Sequence, residues 1–189
     1  MTGVCKLFRR FAAAREGVAA VEFALILPVM LLLYLGTTEA SALISMDRRV
    51  QTIAGTIGDL VARSDSRISA GQLQDYFLAA QHILAPYSTL GLTETVTLVH
   101  VEADGDTQVK WSRRFVGGTS GHVAGHAAGQ PYDLPDEFLT IARGSYVIVA
   151  EARYPYTPLI GMVFNQEYPL YRETFYMPRF GGIIDYEAS

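Results

Sequence analysis

The sequence predicts an α+β protein in which one long N-terminal helix crosses a membrane and continues into a domain with a second helix and a four-stranded antiparallel sheet. Two observations predict this class. An apolar run over residues 18–38 passes into a helical repeat of apolar residues, and beyond Thr93 the apolar period changes to two. The predicted organisation is a basic leader (1–17), a transmembrane helix (18–38), its continuation (39–63) and a globular domain (64–189).

The composition limits the classes of protein to consider. Half of the 189 residues are apolar, which suits one membrane segment and one small domain with its own core. Acidic residues slightly exceed basic ones, 19 against 15, so no broad cationic field is available and nucleic acid is not expected as a partner. The single cysteine, Cys5, precedes the apolar run, so the rest of the chain forms neither an intrachain disulfide nor a cysteine-based metal site.

The apolar run over residues 18–38 is long enough to span a bilayer, because a transmembrane helix needs roughly 20 residues. Four basic residues precede it: Lys6, Arg9, Arg10 and Arg15. Under the positive-inside rule this distribution places the N-terminus in the cytoplasm and the C-terminal domain on the other side of the membrane. The predicted protein is therefore a single-pass membrane protein with an extracytoplasmic domain.

One carboxylate, Glu22, lies inside this apolar run. A charge deep in a bilayer costs on the order of 3 kcal/mol, so it calls for a partner. If a peptidase cuts between Gly17 and Val18, the new amino group lies one helical turn before Glu22, where the two charges can neutralise each other within one chain or between neighbours. In the alternative interpretation, Glu22 lies shallow and is hydrated near the cytoplasmic face.

The segment Gly17-Val-Ala-Ala-Val-Glu22-Phe23, preceded by basic residues and followed by Pro28, resembles the start of pilins and pseudopilins. The wider stretch through Gly36 to Glu39 resembles the TadE-like family of the tight-adherence (Tad) pilus system. The resemblance implies cleavage by a prepilin peptidase after Gly17, a new N-terminus at Val18, and an assembly role for Glu22. Pro28 is expected to kink the helix, because proline removes a backbone hydrogen bond.

The resemblance also implies a fold, a location and partners. It implies a pilin-like periplasmic domain on a helix anchored in the inner membrane, or incorporated in a pilus. The implied partners are other pilins or pseudopilins, the pilus assembly platform of the inner membrane, and the prepilin peptidase. The major Tad pilins usually carry tyrosine where this chain has Phe23, which favours a non-enzymatic pseudopilin or minor pilin over the bulk fibre subunit.

The main rival interpretation is an ordinary secretory signal peptide, because Ala40-Ser41-Ala42 has the spacing of small residues that signal peptidase cuts. That cut would leave Leu43 as the N-terminus of a secreted protein. The apolar run is, however, longer than a usual signal core and contains a carboxylate, and the helical pattern continues through the proposed cut. The alternative function is accordingly a secreted or membrane-tethered extracytoplasmic binding domain unrelated to pili.

Two helical patterns follow the apolar run. The first predicts that the long helix extends to about Ala62, with an apolar stripe that packs on the chain's own sheet or in a short coiled coil: Leu43, Met46, Val50, Ile53, Ile57 and Leu60. Gly55 and Gly58 are expected to weaken its last turns. The second pattern begins at a Ser69 cap and stops before Pro86, which predicts a second amphipathic helix.

Four strands are predicted after the second helix. They start at Thr93, at Gln108 (to Phe115), at Ser145 (to Tyr154) and at Leu170 (to Met177). Asp104-Gly105 predicts a hairpin turn between the first two strands. A two-residue turn would place Leu98 opposite Trp111 and His100 opposite Val109.

Two further segments are candidates for function. The glycine-rich stretch 117–126 is predicted to be a flexible loop, and its His122 and His126 are not expected to bind a metal because no flanking carboxylate or third histidine is nearby. The segment from Tyr154 to Phe164 resembles the tyrosine-proline turn and apolar segment of TadE-like proteins. It predicts either core packing or a docking surface for another pseudopilin or the membrane surface. No nucleophile, zinc or phosphate-loop motif occurs, so neither an enzyme nor a cofactor is predicted.

Overall fold

The computed structural model describes residues 16–188, and for Glu16 only the backbone. Residues 1–15 of the predicted leader, which include its four basic residues and Cys5, lie outside the described residues. The chain divides into two compact units. Unit 1 comprises the chain up to Ala42 together with Pro158–Gln166, and unit 2 comprises Leu43–Thr157 and the chain from Glu167 onwards.

One continuous helix, α1, runs from Glu16 to Ala62 and contains 47 residues. It passes through Ala40–Ala42 without interruption and ends at the predicted residue. Pro28 lies inside it. The helix is long and apolar enough to cross a membrane by length and composition. The predicted long N-terminal helix is therefore confirmed.

Within unit 2, the second part of α1 supplies one wall of the core. Met46, Val50, Ile53 and Ile57 are fully buried, together with apolar residues of the sheet. Leu60 is only half-buried, and the neighbouring Val61 is buried in its place. The stripe thus packs on the chain's own core, which is the first of the two predicted alternatives.

The remaining helices are short. Strand β1 (Arg67–Ser69) leads into α2 (Ala70–Gln81), which is followed by a 3-10 turn over His82–Leu84, and α3 covers Asp136–Ile141. The Ser69 side chain accepts a hydrogen bond from the Gln72 backbone N–H at 3.2 Å, so the predicted N-cap of the second helix is confirmed. Leu73, Phe77 and Ala80 carry the buried face of α2.

The main sheet is antiparallel, with the strand order β4-β3-β2-β5-β6. Its strands are β2 (Thr93–Val101), β3 (Thr107–Val116), β4 (His122–Ala124), β5 (Ser145–Tyr156) and β6 (Tyr168–Tyr176). The predicted α+β class is confirmed, but the sheet has five strands instead of four.

The additional strand β4 lies in the segment that was predicted to be a flexible loop. It pairs with β3 over three residues, from Arg113 opposite Ala124 to Phe115 opposite His122. A second, parallel pair joins β1 to β7 (Asp185–Glu187). Such short strands carry too little alternation to be recognised from sequence, and their pairing depends on segments distant in the chain.

The β2–β3 hairpin differs in register from its prediction. Leu98 does pair with Trp111, but a register shift between Leu98 and Val99 follows, so His100 pairs with Gln108 and not with Val109. The extra residue in β3 is a β-bulge, which the two-residue-turn rule does not anticipate.

The turn of this hairpin has three residues instead of two. The Glu102 N–H donates to the Asp106 carbonyl at 2.7 Å, and the Gly105 N–H donates to the Glu102 carbonyl at 3.0 Å. Gly105 has a φ of 105°, a left-handed conformation that favours glycine. Asp104-Gly105 therefore does mark a hairpin turn, but of the three-residue type.

Gly58 and Gly55 make a matched pair for a stability test. A Cβ atom at Gly58 would lie 2.6 and 2.7 Å from ring carbons of Tyr176 and 3.2 Å from the Ala150 Cβ, whereas one at Gly55 would lie 3.5 Å from the Tyr176 hydroxyl. We expect Gly58→Ala to lower the free energy of unfolding by about 1–3 kcal/mol through overpacking. Gly55→Ala should raise it by up to about 1 kcal/mol through helix propensity.

Denaturant unfolding of the full chain in detergent measures both effects. Stabilisation by both substitutions would show that Tyr176 does not pack closely on Gly58.

Candidate functional site

The N-terminal part of α1 in unit 1 is an apolar helix without protein cover. Every residue from Gly17 to Tyr34 is exposed. The predicted span, residues 18–38, is about 31 Å long at 1.5 Å per residue, close to the roughly 30 Å of a bilayer's hydrocarbon core. A helix that is apolar and exposed all round requires lipid or other helices around it.

Polar groups near the end of this span are satisfied locally. The Thr37 hydroxyl donates to the Leu33 carbonyl at 2.6 Å, and the Thr38 hydroxyl donates to the Tyr34 carbonyl at 2.8 Å. Hydroxyls that donate to carbonyls of their own helix need no water and are compatible with a lipid environment. Tyr34 is 68% exposed, and tyrosine is typical of membrane–water interfaces.

Glu22 lies on the exposed part of α1, one helical turn after Val18. Its carboxylate has no hydrogen bond or ion pair among residues 16–188. The helix therefore places a carboxylate that has no partner in the described part of the chain one turn from Val18, whose amino group would be freed by cleavage after Gly17. Pairing between them requires that cleavage and stays a prediction.

A second carboxylate of unit 1, Glu39, is buried, with 2% of its surface exposed. Its Oε1 accepts a hydrogen bond from the backbone N–H of Met162 at 2.9 Å. Its Oε2 accepts from the N–H of Val163 at 3.1 Å and of Phe164 at 2.7 Å. We call this arrangement the Glu39 clasp. Three N–H donors stabilise the ionised carboxylate, which explains why a charge is tolerated there.

The clasp holds the connection between β5 and β6 on the helix. Val163 packs over Gly36, one turn before Glu39, with its methyl groups 3.7 and 3.8 Å from where a glycine Cβ would lie. Sequence reasoning noted Gly36 and Glu39 only as parts of the TadE-like stretch. The sequence signals were a glutamate at the end of an apolar run and an uncharged apolar segment at 158–164, and neither signal identifies the other as its partner.

We call the connection Pro158–Gln166 the apolar tip. Pro158 is buried, but four large apolar side chains are exposed: Leu159, Ile160, Met162 and Val163. Of the two predictions for this segment, core packing is therefore wrong for these four residues. The exposed surface that a docking role requires is present.

The two loop histidines have separate partners. His122 contacts the Gln74 side chain at 3.2 Å and the Tyr186 hydroxyl at 2.9 Å, while His126 Nε2 lies 2.6 Å from Glu151 Oε2. Burial, aided by Arg113, lowers the pKa of His122. No group of three or more His, Cys, Asp or Glu side chains suited to a metal occurs within residues 16–188.

One carboxyl group of unit 2 is buried in the core. Glu94 on β2 is fully buried, and its Oε2 accepts a hydrogen bond from Gln81 at 3.1 Å. Its Oε1 has no hydrogen-bond partner among the described residues. Burial raises its pKa to about 8, with the Gln81 hydrogen bond acting against the shift. The side chain is thus mostly neutral at pH 7.

The exposed apolar helix that continues into an α+β unit is consistent with a single-pass membrane protein. Residues 17–56 match the model of the family described as TadE-like protein, which confirms the resemblance predicted from residues 16–39. The matched stretch includes Gly17, Glu22 and Glu39 and associates the chain with the Tad pilus in general. Comparison with curated proteins and with solved structures finds no match.

Proposed function

We propose that this protein is a non-enzymatic minor pilin or pseudopilin that takes part in assembly of a Tad pilus. The observation that carries the proposal is the exposed apolar helix of unit 1, on which Glu22, one turn after the proposed mature N-terminus, has no partner among residues 16–188. The TadE-like match over the same residues supports it. The basic cluster before the helix supports a cytoplasmic N-terminus and a periplasmic location for unit 2, which we call the head.

The proposed mechanism is association of helices side by side in the inner membrane. Cleavage by the prepilin peptidase after Gly17 exposes the amino group of Val18. Glu22 pairs with this ammonium, preferably on a neighbouring pilin, because pairing offsets the cost of a charge in lipid. The assembly platform of the inner membrane then moves or retains the paired subunits, and the head contributes no chemical step.

Processing tests the first step. Gly17→Leu is expected to block removal of the leader, because a bulky side chain clashes in a peptidase site shaped for glycine. Wild-type protein from cells that contain the peptidase should have Val18 as its first residue by mass spectrometry, and the variant should keep its leader. Gly3→Leu, a matched change within the leader, should mature normally.

Two results would contradict the proposed processing. Normal maturation of Gly17→Leu would exclude the cut after Gly17. A mature wild-type N-terminus at Leu43 would instead support the secreted binding domain, because signal peptidase would then have removed α1 up to Ala42.

A further inference from the structure

The apolar tip is unusual in its composition for an exposed connection. Pro158–Gln166 contains no charged residue, and the chain becomes charged again at Glu167. Leu159 is 85% exposed and Met162 is 64% exposed. Exposing such a group of apolar side chains to water is unfavourable, so we expect the tip to contact lipid or another protein.

The position of the tip along α1 indicates which medium this is. The Glu39 clasp and the Val163–Gly36 contact fix the tip at residues 36–39 of the helix. The predicted span ends at residue 38, so this level corresponds to the boundary between the hydrocarbon core and the headgroups. Tyr34, on the last turn of the span, suits the same boundary.

The clasp also removes an obstacle to contact with lipid. An irregular loop at this depth would present backbone N–H groups that lipid tails cannot accept, and leaving them unpaired is costly. Glu39 accepts hydrogen bonds from three consecutive N–H groups of the tip. Their donors thereby face the helix, while the apolar side chains of Leu159, Ile160 and Met162 remain exposed.

We propose that the apolar tip is a second membrane contact. It inserts into the headgroup–acyl boundary of the leaflet at the C-terminal end of the predicted span. The contact rests on the membrane placement of α1 in the proposed function. Its occupant is lipid and not another protein chain, because the clasp holds the tip beside residues 36–39, at the level where the predicted span meets the headgroups. Two contacts, helix and tip, limit the rotation of α1 about its own axis and determine which helix face is turned towards partner pilins.

Nitroxide accessibility tests the proposal on the full chain. In a Cys5→Ser background, the single substitutions Leu159→Cys, Met162→Cys, Leu32→Cys and Ile141→Cys are made one at a time. Each variant is spin-labelled and reconstituted into vesicles of phosphatidylethanolamine and phosphatidylglycerol. Leu32 is a reference inside the span. Ile141, on α3 and 63% exposed, is a matched apolar reference on the head. Spectral broadening by molecular oxygen reports lipid, and broadening by a water-soluble nickel chelate reports water.

We expect a several-fold loss of nickel broadening at Leu159 and Met162 relative to Ile141, together with stronger broadening by oxygen. Nickel broadening at Leu159 and Met162 equal to that at Ile141, with Leu32 protected, would overturn the second contact and leave the proposed anchoring intact. Nickel access at Leu32 would overturn the anchoring itself. Spin–spin broadening at Leu159 that disappears on dilution with unlabelled protein would identify a second copy as the occupant and overturn the lipid contact.

Discussion

Glu22→Gln is expected to abolish crosslinking of the protein to neighbouring pilins while its level in the membrane stays equal to or above that of wild type. Neutralising the side chain removes a desolvation cost of about 3 kcal/mol, so insertion becomes easier. The same change removes the partner of the Val18 ammonium of a neighbouring subunit, so association becomes weaker. Insertion and assembly should therefore change in opposite directions.

This pattern separates pairing from a general effect on folding or insertion. Membrane level, leader removal and crosslinked partners would be measured in the same cells. Glu22→Asp keeps the charge on a shorter side chain and is expected to recover part of the crosslinking. If Glu22→Gln retained normal crosslinks and normal piliation, Glu22 would be a hydrated side chain near the cytoplasmic face and the proposed mechanism would fail.

Glu94→Gln is expected to stabilise the head by several kcal/mol at pH 8 and to have little effect near pH 4. The folded protein keeps the Glu94 carboxyl neutral up to a pKa of about 8, whereas in the unfolded chain it ionises around its ordinary value of 4.5. Unfolding therefore releases a proton between these values, and stability falls as the pH rises through this window. At 1.36 kcal/mol per pKa unit, the loss approaches about 4–5 kcal/mol near pH 8.

Glutamine forms no charge at any pH and can keep a polar contact with Gln81. Denaturant unfolding at several pH values would give the difference in the free energy of unfolding between variant and wild type, and this difference should grow from pH 4 to pH 8. Glu102→Gln, at an exposed turn position of the β2–β3 hairpin, is the matched control and should show no such trend. A difference independent of pH would show that Glu94 is ionised in the folded head.

Local patterns were sufficient for several parts of the fold. The end of α1 at Ala62 and the Ser69 cap of α2 follow from signals that lie within a few residues of each other. The β-bulge after Leu98 was not predictable, because it depends on how β3 fits the two strands around it. Strand β4 and the β1–β7 pair were missed for the same reason, since their partners lie elsewhere in the chain.

The sequence by itself determined the apolar span, the carboxylate within it and the TadE-like stretch. A helix is predicted from the length and spacing of apolar residues along the chain, and a carboxylate among them is costly in lipid whatever the rest of the fold. Only the tertiary structure brought Glu39 onto the backbone of residues 162–164 and left the apolar tip exposed. These groups are more than 120 residues apart in the chain. Backbone N–H donors look the same in every sequence, so only the folded chain shows which carboxylate they reach.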